Sequence, residues 1–168
     1  MTLSMYEASI PVFIHDLKNL SVILTKAAAY AQTKKIDESV LINARLAPDM
    51  FPLSRQVQIT TDVMKGAAAR LAGIEVPSYA DTETTFVQLQ ARITKTIDFL
   101  TSLTAAQING TEDRTISLKV GGKEHNFKGQ NYLLYFAIPN IYFHTTATYA
   151  ILRHNGLDVG KADFLGSL

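Results

Sequence analysis

The sequence contains no cysteine. That absence excludes disulfide scaffolds, thiolate zinc sites and cysteine nucleophiles, so any chemistry must come from other side chains. An excess of one charge is also missing, because 16 Lys and Arg against 15 Asp and Glu leave a formal net charge of +1. A nearly neutral protein has no general attraction to nucleic acid or to an anionic membrane surface. We therefore expect neither nucleic acid nor membrane as a partner.

Long hydrophobic runs are absent near the N-terminus, where Glu7, His15, Asp16 and Lys18 interrupt the apolar residues. A signal peptide or a membrane span needs an uninterrupted run, so the sequence predicts a cytoplasmic protein. The chain has 168 residues, of which 47% are hydrophobic. That is enough to bury one shared core, and we expect a single domain over residues 1–168.

Four segments repeat apolar residues at intervals of three and four, which is typical of helices that bury one face. The first stripe runs from Ile10 to Ala27, with Ser4 and Glu7 or Pro11 marking its start. The second covers residues 53–72 and ends at Gly73, a residue that favours the left-handed conformation of a helix end. The sequence therefore predicts two long helices in its first half.

A third stripe covers residues 86–103, with Asp81 or Thr82 as the expected helix cap. The fourth covers residues 130–154, which are rich in aromatic side chains. Pro139 interrupts this last segment, so the helix either kinks there or begins near it. The four stripes together predict an all-α fold, a four-helix bundle.

One segment between the third and fourth stripes changes period. Residues 115–127 alternate apolar and polar side chains on either side of Gly121-Gly122. Alternation indicates strands, and a pair of glycines suits a two-residue hairpin turn. We expect a small β-hairpin between helices three and four.

Several longer motifs carry a resemblance to a known family. They are RLAPDMFPL (residues 45–53), GAAARLAG (66–73), PNIYFH (139–144), ILRHNG (151–156) and GKADFLG (160–166). Together they closely resemble an uncharacterised bacterial family of domains of unknown function, assigned to the DinB/YfiT-like superfamily. The resemblance runs almost from end to end of the chain. It implies a DinB/YfiT-like four-helix bundle that is often a homodimer, with a long crossover between the two middle helices.

The resemblance also implies a metal site, because many members of the superfamily bind a divalent metal through three histidines. One lies on the second helix, and two lie four residues apart on the last helix. This sequence departs from the pattern: the second helix has no histidine, and His144 is followed four residues later by Thr148. Gln56, Gln58 and Asp62 are the polar candidates on the second helix, but they form a poor transition-metal site with one histidine. We expect no bound metal, with His144 as the only matching ligand.

His144 has two interpretations. It is either an interhelical histidine whose ring hydrogen-bonds to neighbours, or a residual ligand or general base that titrates near neutral pH. Asn140, His144 and Thr148 share one helical face, as the wall of a polar pocket or as a hydrogen-bonded cluster. The candidate pocket therefore consists of His144, Asn140, Thr148, Gln56 and Asp62. The catalytic residues stay unknown.

Two functions from different classes fit these observations. The first is a small-molecule-binding, protein-binding or structural homodimeric module with a degenerate metal site and no cofactor. The alternative, implied by the resemblance, is a metal-dependent transferase or hydrolase that uses His144, with a divalent metal as its cofactor. A role in DNA damage is not supported, because the charge is balanced.

Overall fold

The computed structural model describes residues 3–167, so residues 1, 2 and 168 of the expected domain lie outside the described part. The chain is mostly helical and carries one small antiparallel sheet, as the sequence predicts. The elements in chain order are α1 (Ile10–Lys34), α2 (Glu38–Ile42), α3 (Leu53–Ala72), α4 (Phe86–Thr101), α5 (Ala105–Ile108), β1 (Thr115–Val120), β2 (Lys123–Lys128), α6 (Gly129–Tyr132), a π-helical turn (Leu133–Ala137), α7 (Ile138–His154) and α8 (Lys161–Leu165). The short helices α2, α5, α6 and α8 were not predicted, because each has too few residues to show the helical repeat of apolar positions.

The helix ends follow local chemistry. Helix α1 begins with Pro11 in its first turn, where a missing amide hydrogen costs nothing. Helix α3 ends at Gly73 with φ 71°, as predicted. The cap of α4 is Thr85, which forms a capping box with Gln88, and not Asp81 or Thr82. Asp81 is instead paired with arginine side chains.

The fourth predicted segment is continuous but irregular. Pro139 has no amide hydrogen to offer the carbonyl of Tyr135, so regular α-helical hydrogen bonding is interrupted there. Residues Leu133–Ala137 form a π-helical turn in response, and α7 starts at Ile138. Both expectations for this segment hold in part, since the helix starts near Pro139 and an irregular approach precedes it.

The long helices pack in the order α1, α4, α3, α7. Helix α7 packs chiefly on α3, while α4 packs on both α3 and α1. Helices α1 and α7 contact each other far less, and α8 packs along α1 on that side. Helix α3 is therefore enclosed by two neighbours and buries even polar residues, among them Gln56, Gln58 and Lys65.

One hydrophobic core joins the long helices. Leu17, Val57, Ile93 and Leu152 contribute to it from α1, α3, α4 and α7, and each is at most 1% exposed. The hairpin of β1 and β2 pairs Thr115 with Lys128 and turns at Gly121-Gly122, as predicted. No helix within residues 3–167 is long and apolar enough to cross a membrane.

Candidate functional site

His144 and Gln56 face each other across the contact between α7 and α3. The Gln56 side chain is 1% exposed, and its Nε2 donates a hydrogen bond of 3.1 Å to the carbonyl of Phe51. The amide oxygen of Gln56 is therefore the atom left to face the imidazole, and it lies 2.7 Å from His144 Nδ1. Because that oxygen can only accept, the proton of the neutral imidazole is on Nδ1. This is an interhelical hydrogen bond of the kind that the first interpretation of His144 describes.

The environment of His144 favours its neutral form. Burial lowers the pKa of the imidazole below its ordinary value, and the positive charge of Arg55 lowers it further. The ring of Phe143 packs edge-on against the imidazole, with 5.2 Å between ring centroids. A neutral imidazole with its hydrogen on Nδ1 fits the Gln56 contact without any bound ion.

The other predicted pocket residues, Thr148, Asn140 and Asp62, do not all lie beside the Gln56–His144 contact. Thr148 is fully buried, and its hydroxyl donates to the carbonyl of His144 at 3.0 Å, within the same helix. Asn140 is half-buried one turn before His144. Asp62 lies on another side of α3 and bonds to Arg92 of α4 at 2.8 Å and to Lys65 at 2.6 Å. The structure thus joins Gln56, His144 and Thr148, and it places Asp62 in a different cluster.

These residues do not fit a transition metal. The bond between Gln56 Oε1 and His144 Nδ1 leaves His144 Nε2 as a single nitrogen donor, and the carboxylate of Asp62 that could add a stronger oxygen ligand faces Arg92. Within residues 3–167, no group of three or more His, Asp or Glu side chains is arranged to hold an ion. Metal chemistry at His144 has no support from this donor set.

The Arg92 cluster, formed by Arg92, Thr61, Asp62, Asp81 and Glu83, was not predicted. The Arg92 side chain is 1% exposed, and it bonds to Thr61 Oγ1 at 2.7 Å, Glu83 Oε1 at 3.0 Å and Asp81 Oδ1 at 3.1 Å. The carbonyl of Ala80 accepts a further bond at 3.0 Å. The cluster fastens the loop before α4 to α3 and α4. Its sequence signal was an arginine three residues after Leu89 on an apolar stripe.

A cleft of about 330 Å³ lies beside this cluster, with Tyr79, Arg92 and Lys95 among its lining residues. The ring of Tyr79 lies under Lys95 at 4.2 Å and under Lys65 at 4.6 Å. These cation–π contacts hold the loop residue against α3 and α4. Arg92 is already bonded to three carboxylates, so contacts within the protein account for the charged lining of the cleft without a ligand.

An apolar groove runs along the outer side of α7. Its volume is about 410 Å³, and its lining residues are Leu46, Met50, Pro139, Tyr142, Phe143, Thr146, Ala147 and Ala150. Phe143 is 59% exposed and Leu46 41% exposed. No residue of this lining is charged. Exposed apolar surface of this kind commonly marks an interaction site.

Comparison with known proteins places this geometry in context. The family model "Domain of unknown function (DUF1993)" matches residues 5–165. The chain is similar to the crystal structure of a DinB family member protein from Shewanella denitrificans, with 42% sequence identity and a TM-score of 0.88. The similarity covers 97% of this chain and 92% of that chain. A comparison with curated proteins gives no significant match.

Proposed function

Because the chain belongs to the DUF1993 family, a DinB-like family of unknown function, we propose that it is a binding module without metal-dependent catalysis. In this proposal the chain folds as a single DinB/YfiT-like four-helix bundle and acts in the cytoplasm. Its metal site is degenerate because His144 is the only one of the three expected histidines. The observation that carries the proposal is the 2.7 Å hydrogen bond between His144 Nδ1 and Gln56 Oε1. It commits the amide oxygen of Gln56 to Nδ1 of His144, so His144 Nε2 is the one nitrogen donor that these two side chains leave for an ion.

The proposal predicts weak metal binding. Zinc and nickel should be titrated by calorimetry into untagged protein, and elemental analysis should find no stoichiometric transition metal. Histidine variants locate any binding that occurs, since His144→Ala removes the candidate ligand while His125→Ala and His154→Ala serve as matched controls. Tight 1:1 zinc binding lost only in His144→Ala would favour the alternative, a metal-dependent transferase or hydrolase.

The module is proposed to be a homodimer that uses the apolar groove on α7. A second copy is a suitable occupant because the groove has no charged lining residue to repel an identical surface. The formal net charge of only +1 also leaves little repulsion between two whole copies. The small side chains Ala147 and Ala150 next to the exposed Phe143 allow close approach of a partner helix and give it an aromatic anchor.

Sedimentation of the full chain tests the dimer. Phe143→Ser removes the most exposed aromatic side chain of the groove, so we expect it to shift the protein to monomer. Val87→Ser is the control, because Val87 is 78% exposed on α4 and lies outside the groove. A wild-type monomer, or a Phe143→Ser dimer as stable as the wild type, would contradict this assignment.

A further inference from the structure

A third pocket lies between α1, α7 and α8, where α1 and α7 make few direct contacts. This seam pocket has a volume of about 370 Å³, which is in the range of small-molecule sites. Pro11 and Val12 of α1 form one apolar side, and Phe164 and Leu165 of α8 form another. His15 and Asp16 of α1 and Tyr142 of α7 supply polar groups. The pocket is separate from the Gln56–His144 contact, which faces α3.

The wall formed by α8 is fixed by several contacts. Lys26 pairs with Asp163 at 2.5 Å, and the Asn19 amide donates to the carbonyl of Phe164 at 3.2 Å. The Nε2 atom of His15 lies 2.8 Å from the carbonyl of Leu165. Phe164 also packs edge-on against Tyr149 of α7, with 5.9 Å between ring centroids. The seam pocket is therefore preformed, which reduces the entropy lost when a ligand binds.

Asp16 is the unusual group in this pocket. It is half-buried, and within residues 3–167 no Lys or Arg forms an ion pair with it. Tyr142 lines the same pocket, and its hydroxyl and the charge of neighbouring His15 both lower the pKa of the Asp16 carboxyl. Burial is the larger effect and raises the pKa of the carboxyl. A carboxylate in this setting has a strong unused capacity to bind a cation.

We infer that the seam pocket binds a small primary amine, with its ammonium group on Asp16 and its apolar part against Pro11, Val12 and Phe164. An ionised carboxylate only accepts hydrogen bonds, so it selects a donor, and an ammonium group supplies three. The apolar walls favour a hydrocarbon substituent over a sugar or a phosphate. One carboxylate provides too few ligands for a metal ion. The inference rests on the proposed binding function and names its ligand class.

Benzylamine is a suitable probe, and benzyl alcohol is its neutral counterpart of similar shape. Titrations of the full chain at pH 7, followed by NMR, should show that benzylamine binds at least about tenfold more tightly than benzyl alcohol. Asp16→Asn should weaken benzylamine binding by a similar factor. Asp158→Asn is the control, since its carboxylate is fully exposed and lies outside the pocket, and it should leave binding unchanged.

Val12→Trp gives a second variant that fills the pocket and leaves Asp16 in place, and it should also abolish binding. Far-UV circular dichroism verifies that each variant is folded. Equal binding of the amine and the alcohol, unchanged binding by Asp16→Asn, or no binding of benzylamine would each overturn the inference. Zinc binding at His144 or a monomeric wild type would overturn the proposed function instead, so the two failures are distinguishable.

Discussion

The two carboxylates Asp62 and Asp16 lie at different helix contacts, Asp62 between α3 and α4 and Asp16 between α1, α7 and α8, and they differ in their partners. Asp62 faces a buried arginine and a lysine, at 2.8 Å and 2.6 Å. Asp16 lies in the seam pocket with a tyrosine hydroxyl and a histidine as neighbours. A carboxylate that already pairs with two cations of the chain has little capacity left to bind a ligand. A partly buried charge without an ion pair retains that capacity.

The same contrast separates the Arg92 cluster from the Gln56–His144 contact. Three carboxylates surround Arg92 within 3.1 Å, whereas His144 is a neutral ring bonded to a neutral amide. Loss of the arginine leaves Glu83 without an ion pair in the described part of the chain, although Asp62 and Asp81 keep Lys65 and Arg55. Loss of the glutamine leaves one neutral donor, the Nδ1 hydrogen of His144, and one neutral acceptor, the carbonyl of Phe51. The expected effects of substitution therefore follow the charge that is left unpaired.

The largest effect is expected for Arg92→Ala. Removing one partner of a buried ion pair costs about 3–5 kcal/mol, and here Glu83, which is 12% exposed, would lose its ion pair while Asp62 and Asp81 keep Lys65 and Arg55. We expect a loss in this range in the free energy of unfolding, measured from urea midpoints. Arg153→Ala is the matched control, since its side chain is 54% exposed and its partner Asp158 is fully exposed, and it should change stability by less than about 0.5 kcal/mol. Similar midpoints for both variants would contradict a structural role for the cluster.

Gln56→Ala should have the next largest effect. It leaves the Nδ1 hydrogen of His144 and the carbonyl of Phe51 without their partner, and such unpaired groups cost about 1–3 kcal/mol. The double variant with His144→Ala should lose less than the sum of the two single variants, because the residues are in direct contact. Additive losses in a denaturation cycle would show that the hydrogen bond contributes nothing.

Sequence reasoning recovered what periodicity and turn chemistry control. The apolar stripes that start at Ile10, Leu53 and Phe86 correspond to the helices α1, α3 and α4, and the hairpin turns at Gly121-Gly122 as predicted. Periodicity assigns a residue to an element but does not say which neighbour covers it. Gln56 and Asp62 were therefore placed in one candidate pocket, although six residues of helix turn them towards different neighbours, α7 and α4.

The remaining features depend on tertiary packing, which no local pattern records. The seam pocket exists because α8 packs along α1 and supplies Phe164 to its wall. Phe164 and Asp16 are 148 residues apart in the sequence, so no local pattern connects them. Thr85 caps α4 because the helix begins at Phe86, later than the expected caps indicate, and Asp81 is paired with arginines in the preceding loop. The position of the irregular turn before α7 was predictable, since Pro139 indicates a break in the helix, but its π-helical form was not.

A smaller effect is expected in the pH dependence of stability. His144 has a folded-state pKa lowered mainly by burial, so the folded protein prefers the neutral ring. Such a group contributes stability above its unfolded pKa of about 6.5, and that stability is lost as the pH falls towards the folded value. Thermal melts between pH 5 and 8 should therefore show a steeper loss below pH 6.5 for the wild type than for His144→Gln. Parallel profiles for the two proteins would show that His144 does not titrate differently in the folded state.

The smallest effect concerns Asp16→Asn, and its sign distinguishes the seam pocket from the Arg92 cluster. Burial raises the folded-state pKa of Asp16, so the folded protein prefers the protonated acid, which an asparagine resembles. The stabilising contribution of a raised acid pKa is fully present below about pH 3.9 and is lost as the pH rises through the folded value. At pH 7 the ionised carboxylate should therefore destabilise the fold, and Asp16→Asn should raise the melting temperature. The gain should stay below about 1 kcal/mol because the half-buried group still reaches solvent.

Asp62→Asn provides the matched comparison, because it removes a carboxylate that pairs with Arg92 and Lys65 and should lower the melting temperature at pH 7. Melts of both variants at pH 7 and near pH 3.5 measure the two signs, and the advantage of Asp16→Asn should shrink at the lower pH as the wild-type carboxyl gains its proton. A drop in melting temperature for Asp16→Asn at pH 7 would mean that the carboxylate already has a stabilising partner within the chain. In that case Asp16 would resemble Asp62, and the seam pocket would have no spare charge for an amine.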